Sequence, residues 1–246
     1  MDAILQPVLI AFVGGVVPAI LWLWFWLKED ESHPEPSHLI SLTFFYGMLA
    51  VPVALVFQII INTFVLDNTA IELALVQIPK TAIITIITWA LVEEVVKYLA
   101  AKNAALKKRA NDEPMDVLIY MITAALGFAA FENALFLIAP LLDGDIPSAF
   151  ITGNLRFIGA TLVHVASSAI IGVFMAWSYF FKNELKKRYL FGGFILSVTL
   201  HTLFNLFIIS YQESIFYVFS IVWITVVILI FHFERIKKIH LNKINS

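Results

Sequence analysis

Leu91-Val92-Glu93-Glu94-Val95-Val96-Lys97-Tyr98 sets two adjacent carboxylates and an ammonium inside the long apolar run of residues 78–101. A run of that length reads as a membrane-spanning helix. A charge near the middle of a bilayer costs roughly 2.5 to 3.5 kcal/mol on insertion scales, so three charges in one span mark a functional site. On a helix Glu93 and Lys97 are i,i+4 neighbours and Glu94 and Lys97 are i,i+3, so the lysine can hold one carboxylate while the other points elsewhere. Glu94 reads as the spare one. A structural ion pair accounts for one glutamate and Lys97, but not for the second glutamate, which must take up a proton or bind a metal or a substrate.

The rest of the chain fits the same setting. Of its 246 residues 61% are hydrophobic and only 14% charged, with a mean hydropathy of +0.89. That composition excludes a soluble domain and indicates an all-α, polytopic transmembrane helical bundle, read as a single integral-membrane domain over residues 1–246. The absence of cysteine excludes disulfides, thiolate metal sites and cysteine nucleophiles.

Working outward gives about seven spans, at residues 3–27, 39–61, 78–101, 117–140, 157–181, 190–210 and 215–233. Trp22, Trp24 and Trp26 sit where the first span should leave the bilayer, as interfacial aromatics do. A moderately polar connection through Asp67 and Glu72 precedes the third span, and an acidic loop with Asp143 and Asp145 follows the fourth. Seven spans place 13 of the 16 Lys and Arg on one side, with only Lys80 and Arg156 in the opposite loops and Lys97 within a span. The positive-inside rule then predicts an outside N-terminus and a cytoplasmic C-terminus in a multi-pass protein of the cell membrane.

Spans three to six carry Glu93, Glu94, Lys97, Glu132, Asn133, His164, His201 and Asn205. At 1.5 Å per residue, Glu94, His201 and His164 fall roughly 12, 16 and 18 Å from the cytoplasmic face of a slab about 30 Å thick, and Glu132 falls at roughly 23 Å. Any one of these residues alone reads as polar glue between helices. Gathered in one cavity they supply a general base, metal ligands or proton donors, and an oxyanion stabiliser, which is the inventory for attack of water on a carbonyl. His201 and Asn205, at i,i+4, face the same cavity. HExxH, GxSxG and Walker motifs are absent from the sequence, and Ser167-Ser168 lacks the Gly-x-Ser context of a serine protease.

Three motifs in order carry a resemblance. Glu93-Glu94-Val95-Val96-Lys97 resembles EExxK, Phe128 to Asn133 resembles FxxxEN, and His201 to Asn205 resembles HxxxN/D, the motifs of the PrsW-type intramembrane proteases, relatives of the CAAX prenyl proteases. The span holding His164, Ser167-Ser168 and Gly172 is similar to the family's histidine-bearing span, and the likeness covers the motif-bearing core, residues 78–210. The resemblance implies an intramembrane endopeptidase acting on a membrane-anchored protein, an anti-sigma factor in the family members that are understood. It makes Glu93, Glu94 and His201 essential.

With the residue reading, the expected site is Glu93, Glu94, Lys97, Glu132, His164, His201 and Asn205. Glu132, His164 and His201 would position the water directly or through a divalent ion such as zinc. The partners expected are this substrate and the lipid bilayer, with no nucleic acid. A proton-coupled transporter or channel also places Glu and His in mid-membrane. A non-catalytic scaffold or immunity-type protein would keep the motifs as packing.

Overall fold

The computed structural model describes residues 2–28, 34–64, 80–210 and 215–244. The connection through Asp67 and Glu72 lies outside the described residues. Within them the chain is helical, without strands: α1 (Asp2–Lys28), α2 (Ser37–Phe64), α3 (Lys80–Ala101), α4 (Pro114–Leu142), α5 (Ile146–Leu155), α6 (Thr161–Trp177), α7 (Asn183–Ser210) and α8 (Ile215–Ile244). Two π-helical turns, Lys102–Leu106 and Arg156–Ala160, extend α3 and join α5 to α6. Satisfying the backbone internally in this way is what lipid demands.

Six helical runs are long and apolar enough to cross a bilayer: α1, α2, α4, the continuous run Ile146–Trp177, α7 and α8. With α3 there are seven long helical runs among the described residues. α3 falls outside the apolar six because it carries Glu93, Glu94 and Lys97, and all three charges are buried against partners.

The chain is built around α4, which packs against α1 on one side, α2 on another and α6 on a third. Its first half is buried on every face, from Pro114 to Ala130. Close approach is made possible by small residues, as expected where lipid supplies no hydrophobic drive between helices. A Cβ on Gly127 would overlap the Phe44 carbonyl of α2, and one on Gly47 would overlap the Ala124 carbonyl of α4. Gly127→Ala is therefore expected to push α2 from α4 and to cost about 1 to 3 kcal/mol, as overpacking does. Thermal unfolding of the purified variant checks this, and an unchanged midpoint would show that the helices part without cost.

α4 is also anchored at its start. Asp116 Oδ2 accepts from the backbone N–H groups of Asp112 (2.7 Å) and Glu113 (2.8 Å), closing a capping box ahead of Pro114. Tyr120, one turn on, donates to Glu35 and so ties the α1–α2 connection to α4. Beyond α6, Tyr179 donates to the Asn111 carbonyl at 2.8 Å. Burial, reinforced by Asp116 and Asp112, pushes its phenol up to about 12, so it stays a donor.

Three expectations change. Residues 146–156, expected in a loop, are helical, because Asp145 caps them by accepting from Ser148 N–H (3.1 Å) and a proline follows the cap. α8 runs on to Ile244, past the basic residues that should have ended it. Only Trp24 of the three tryptophans faces outward, 58% exposed. Trp26 is fully buried and stacks on Phe233, and Trp22 packs on Phe157 and Trp223, so these two join α1 to the helices behind it.

Candidate active site

α3, α4, α6 and α7 converge on one polar centre. Glu94 is its hub. Its Oε1 accepts from Lys97 Nζ at 2.5 Å and from Ser167 Oγ at 2.8 Å, and lies 2.9 Å from His201 Nδ1. Its Oε2 accepts from Ser168 Oγ at 2.8 Å. Glu94 and Lys97 are both wholly buried. Four donors from three helices, one of them an ammonium, engage both oxygens of the carboxylate, as a buried charge requires.

Glu93 is placed the other way. Its Oε1 accepts from Gln58 of α2 at 3.1 Å. Its Oε2 is buried with no hydrogen-bond partner, 3.5 Å from His201 Nε2. The expectation that Glu94 would be the spare carboxylate is thus reversed: Lys97 takes the i,i+3 glutamate, because Ser167 and Ser168 of α6 already hold that one in place.

The two imidazoles lie edge to face with ring centroids 5.1 Å apart. His201 donates from Nδ1 to Glu94 and presents Nε2 to Glu93 Oε2 at 3.5 Å. His164 accepts from Lys97 Nζ at Nδ1 (3.2 Å) and donates from Nε2 to Glu132 (2.8 Å). Phe128 closes the floor, its ring centroid 5.3 Å from that of His164 and 5.0 Å from Lys97 Nζ.

Glu132 therefore touches the centre through His164. Its other partner is Arg156, whose Nε also donates to Asn133 Oδ1 at 2.6 Å. Asn133 Nδ2 in turn donates to Thr161 Oγ1 at 2.9 Å. Asn205 is half-buried one turn beyond His201 on α7.

Gln58 and Arg156 are contacts that the sequence reading missed. An amide in an otherwise apolar span was the available signal for Gln58, whereas Arg156 had the look of a loop cation.

The family profile of the PrsW family intramembrane metalloproteases matches residues 35–231, four-fifths of the chain. The chain belongs to this family. It is similar to a protein named Protease PrsW in Geobacillus kaustophilus, 29% identical over 83% of this chain and 82% of that one. Proteins of the same name in Bacillus subtilis (22% identical over 83% and 85%) and Clostridioides difficile (25% over 83% and 82%) are also similar. No solved structure gives a significant match. The chain is accordingly a multi-pass intramembrane protease of the cell membrane.

Family membership raises the question of a metal, and the residues fit one. Glu93, His164 and His201 each offer a donor atom within 4.8 Å of the others, all three buried. One carboxylate and two imidazoles is a set that catalytic zinc uses, with a fourth position left for water. The unpartnered Oε2 of Glu93 and the open Nε2 of His201 suit it, and the Glu94 carboxylate behind His201 Nδ1 is the partner that metal-bound histidines characteristically have. Because both nitrogens of His164 are engaged, it would have to release Lys97 or Glu132 to join. Glu132, expected as the third donor, is held by Arg156 and His164, and Glu93 takes its place in the group.

Proposed function

We propose that Glu93 is the general base of a peptide hydrolysis carried out within the membrane on a membrane-anchored protein. The contrast between the two glutamates carries this reading: both oxygens of Glu94 are engaged by donors, whereas Glu93 keeps a buried oxygen open beside His201.

In this reading Glu93 Oε2 takes a proton from water as the water oxygen attacks the scissile carbonyl carbon. The tetrahedral oxyanion accepts from the Asn205 side chain, one turn from His201. Glu93 then passes its proton to the leaving nitrogen, the C–N bond breaks, and a carboxylic acid and an amine are released, the acid's proton passing to the amine in water. Glu94, Lys97 and the two serines take no proton; they hold His201 and His164 in orientation. Were a divalent ion such as zinc held by Glu93, His164 and His201, it would occupy that same Glu93 oxygen, and would supply the acidified water and the polarised carbonyl in place of the free carboxylate.

The substrate we assign is a single-span protein of the kind represented by anti-sigma factors. Its cleavage takes place in one domain spanning residues 1–246, with the N-terminus outside and the C-terminus cytoplasmic. The lopsided distribution of Lys and Arg supports that orientation. Co-expression with candidate single-span membrane proteins tests the whole reading. A shortened product made by wild type and not by Glu93→Gln is expected; the same product from both rejects it.

Asn205→Ala supplies a separate check on the oxyanion assignment. Turnover is expected to fall about 100- to 1000-fold with substrate binding unchanged, as on removal of one oxyanion donor. If Asn205 were only interhelical glue, worth about 0.6 kcal/mol, single-turnover cleavage would stay near normal.

A further inference from the structure

We propose that Arg156 is a positioning residue of this centre, fixing His164 through Glu132. The inference rests on His164 belonging to the centre, but not on which nitrogen donor or oxygen acts first in the chemistry.

Arg156 is the first residue of the π turn that joins α5 to α6. Its guanidinium binds Glu132 through Nη2, donates from Nε to Asn133 at 2.6 Å, and lies 3.8 Å above the ring centroid of Phe136. Two consecutive residues of α4 and an aromatic one turn later thus hold a planar fork on two edges and one face, a geometry that an ammonium cannot reproduce.

The π turn is what allows this. Residues five apart on an α-helix point about 140° from each other, whereas a turn closed from i to i+5 brings them to one side. Arg156 and Thr161, five apart, both reach Asn133. π turns inside longer helices concentrate at functional sites for this kind of reason.

The consequence passes inward along one oxygen. Glu132 Oε2 accepts from Arg156 and from His164 Nε2, so the arginine holds in place the acceptor that fixes the imidazole. On the far side of the ring Lys97 donates to Nδ1. Acceptor at Nε2 and donor at Nδ1 dictate one neutral tautomer and one ring orientation. Without Arg156, Glu132 is a carboxylate with no cation to hold it, free to turn, and the ring loses its outer restraint. The Arg156 and Glu132 side chains are also more exposed than any other charged groups of the centre, 15% and 20%, against 10% or less for Glu93, Glu94, Lys97, His164 and His201.

The test is nitrogen NMR on the full chain, purified in nanodiscs and labelled with 15N-histidine, with the His164 signals assigned by their loss in His164→Gln. Wild type is expected to show a protonated Nε2 and a bare Nδ1. Arg156→Met should move the two shifts toward each other as tautomers mix, Glu132→Gln should do the same, and the double variant should go no further than either. Arg156→Lys, which keeps the charge but not the fork and serves should the methionine variant fail to fold, should give a shift part of the way. With a cleavable single-span substrate, Arg156→Met should lower kcat about 10- to 100-fold at unchanged KM, the usual loss when an outer partner of a reacting histidine is removed.

A wild-type His164 protonated at Nδ1, shifts unmoved in Arg156→Met or Arg156→Lys, or a raised KM at normal kcat would each overturn the proposal. If the tautomer follows Arg156 but no protein is cleaved, the hydrolase reading fails and this inference stands; if cleavage is normal and the tautomer does not move, the reverse holds.

Discussion

Glu93→Gln is expected to abolish cleavage, by about 10,000-fold at the upper end of what loss of a general base costs, while leaving the unfolding midpoint close to that of wild type. The substitution is nearly isosteric, and the new amide keeps an oxygen to accept from Gln58. What disappears is the open anionic oxygen, Oε2. Zinc affinity should fall with activity, since the amide is a poor ligand in a set of one carboxylate and two imidazoles.

Glu94→Gln is expected to differ in kind. It leaves Lys97 Nζ buried without its counter-charge, and breaking such a pair typically costs about 3 to 5 kcal/mol. Unfolding and single-turnover cleavage run side by side on the two variants separate the roles. A stable, inactive Glu94→Gln beside an active Glu93→Gln would return the base to Glu94.

That division of labour was only half legible in the sequence. Long apolar runs announced the helices, because only closed hydrogen bonding survives in lipid, and the clustered Glu, Lys and His announced a centre, because each is costly there. Which glutamate Lys97 takes was not legible. The i,i+3 and i,i+4 pairings are close in energy, and the decision comes from Ser167 and Ser168, 73 and 74 residues from Glu94.

Arg156 was hidden for a different reason. A cation shortly after Thr152, Gly153 and Asn154, between two apolar runs, looks like a loop, and the Asp145 cap and the π turn carry the helix through it.

Lys97→Met is expected to be the most destabilising single change in the centre that leaves both glutamates in place. Methionine fills the volume of the lysine stem above Phe128 but removes the donor 2.5 Å from Glu94 and 3.2 Å from His164. Glu94 then keeps two hydroxyls and an imidazole, without the ammonium, around a wholly buried carboxylate. About 3 to 5 kcal/mol of stability should be lost. Combining it with Glu94→Gln should return most of that loss, because replacing both members of a buried pair is often close to neutral whereas orphaning one is not. Activity should not return with it. His201 Nδ1 would face an amide in place of a carboxylate, and loss of such an outer partner costs about 10- to 100-fold in metal affinity or rate. The measurement is therefore a double-mutant cycle in unfolding free energy, with zinc affinity followed on the same four proteins. Additive destabilisation would show that Lys97 and Glu94 are not a charge pair, and a stable Lys97→Met would show that the ammonium is not needed to hold Glu94 in the membrane.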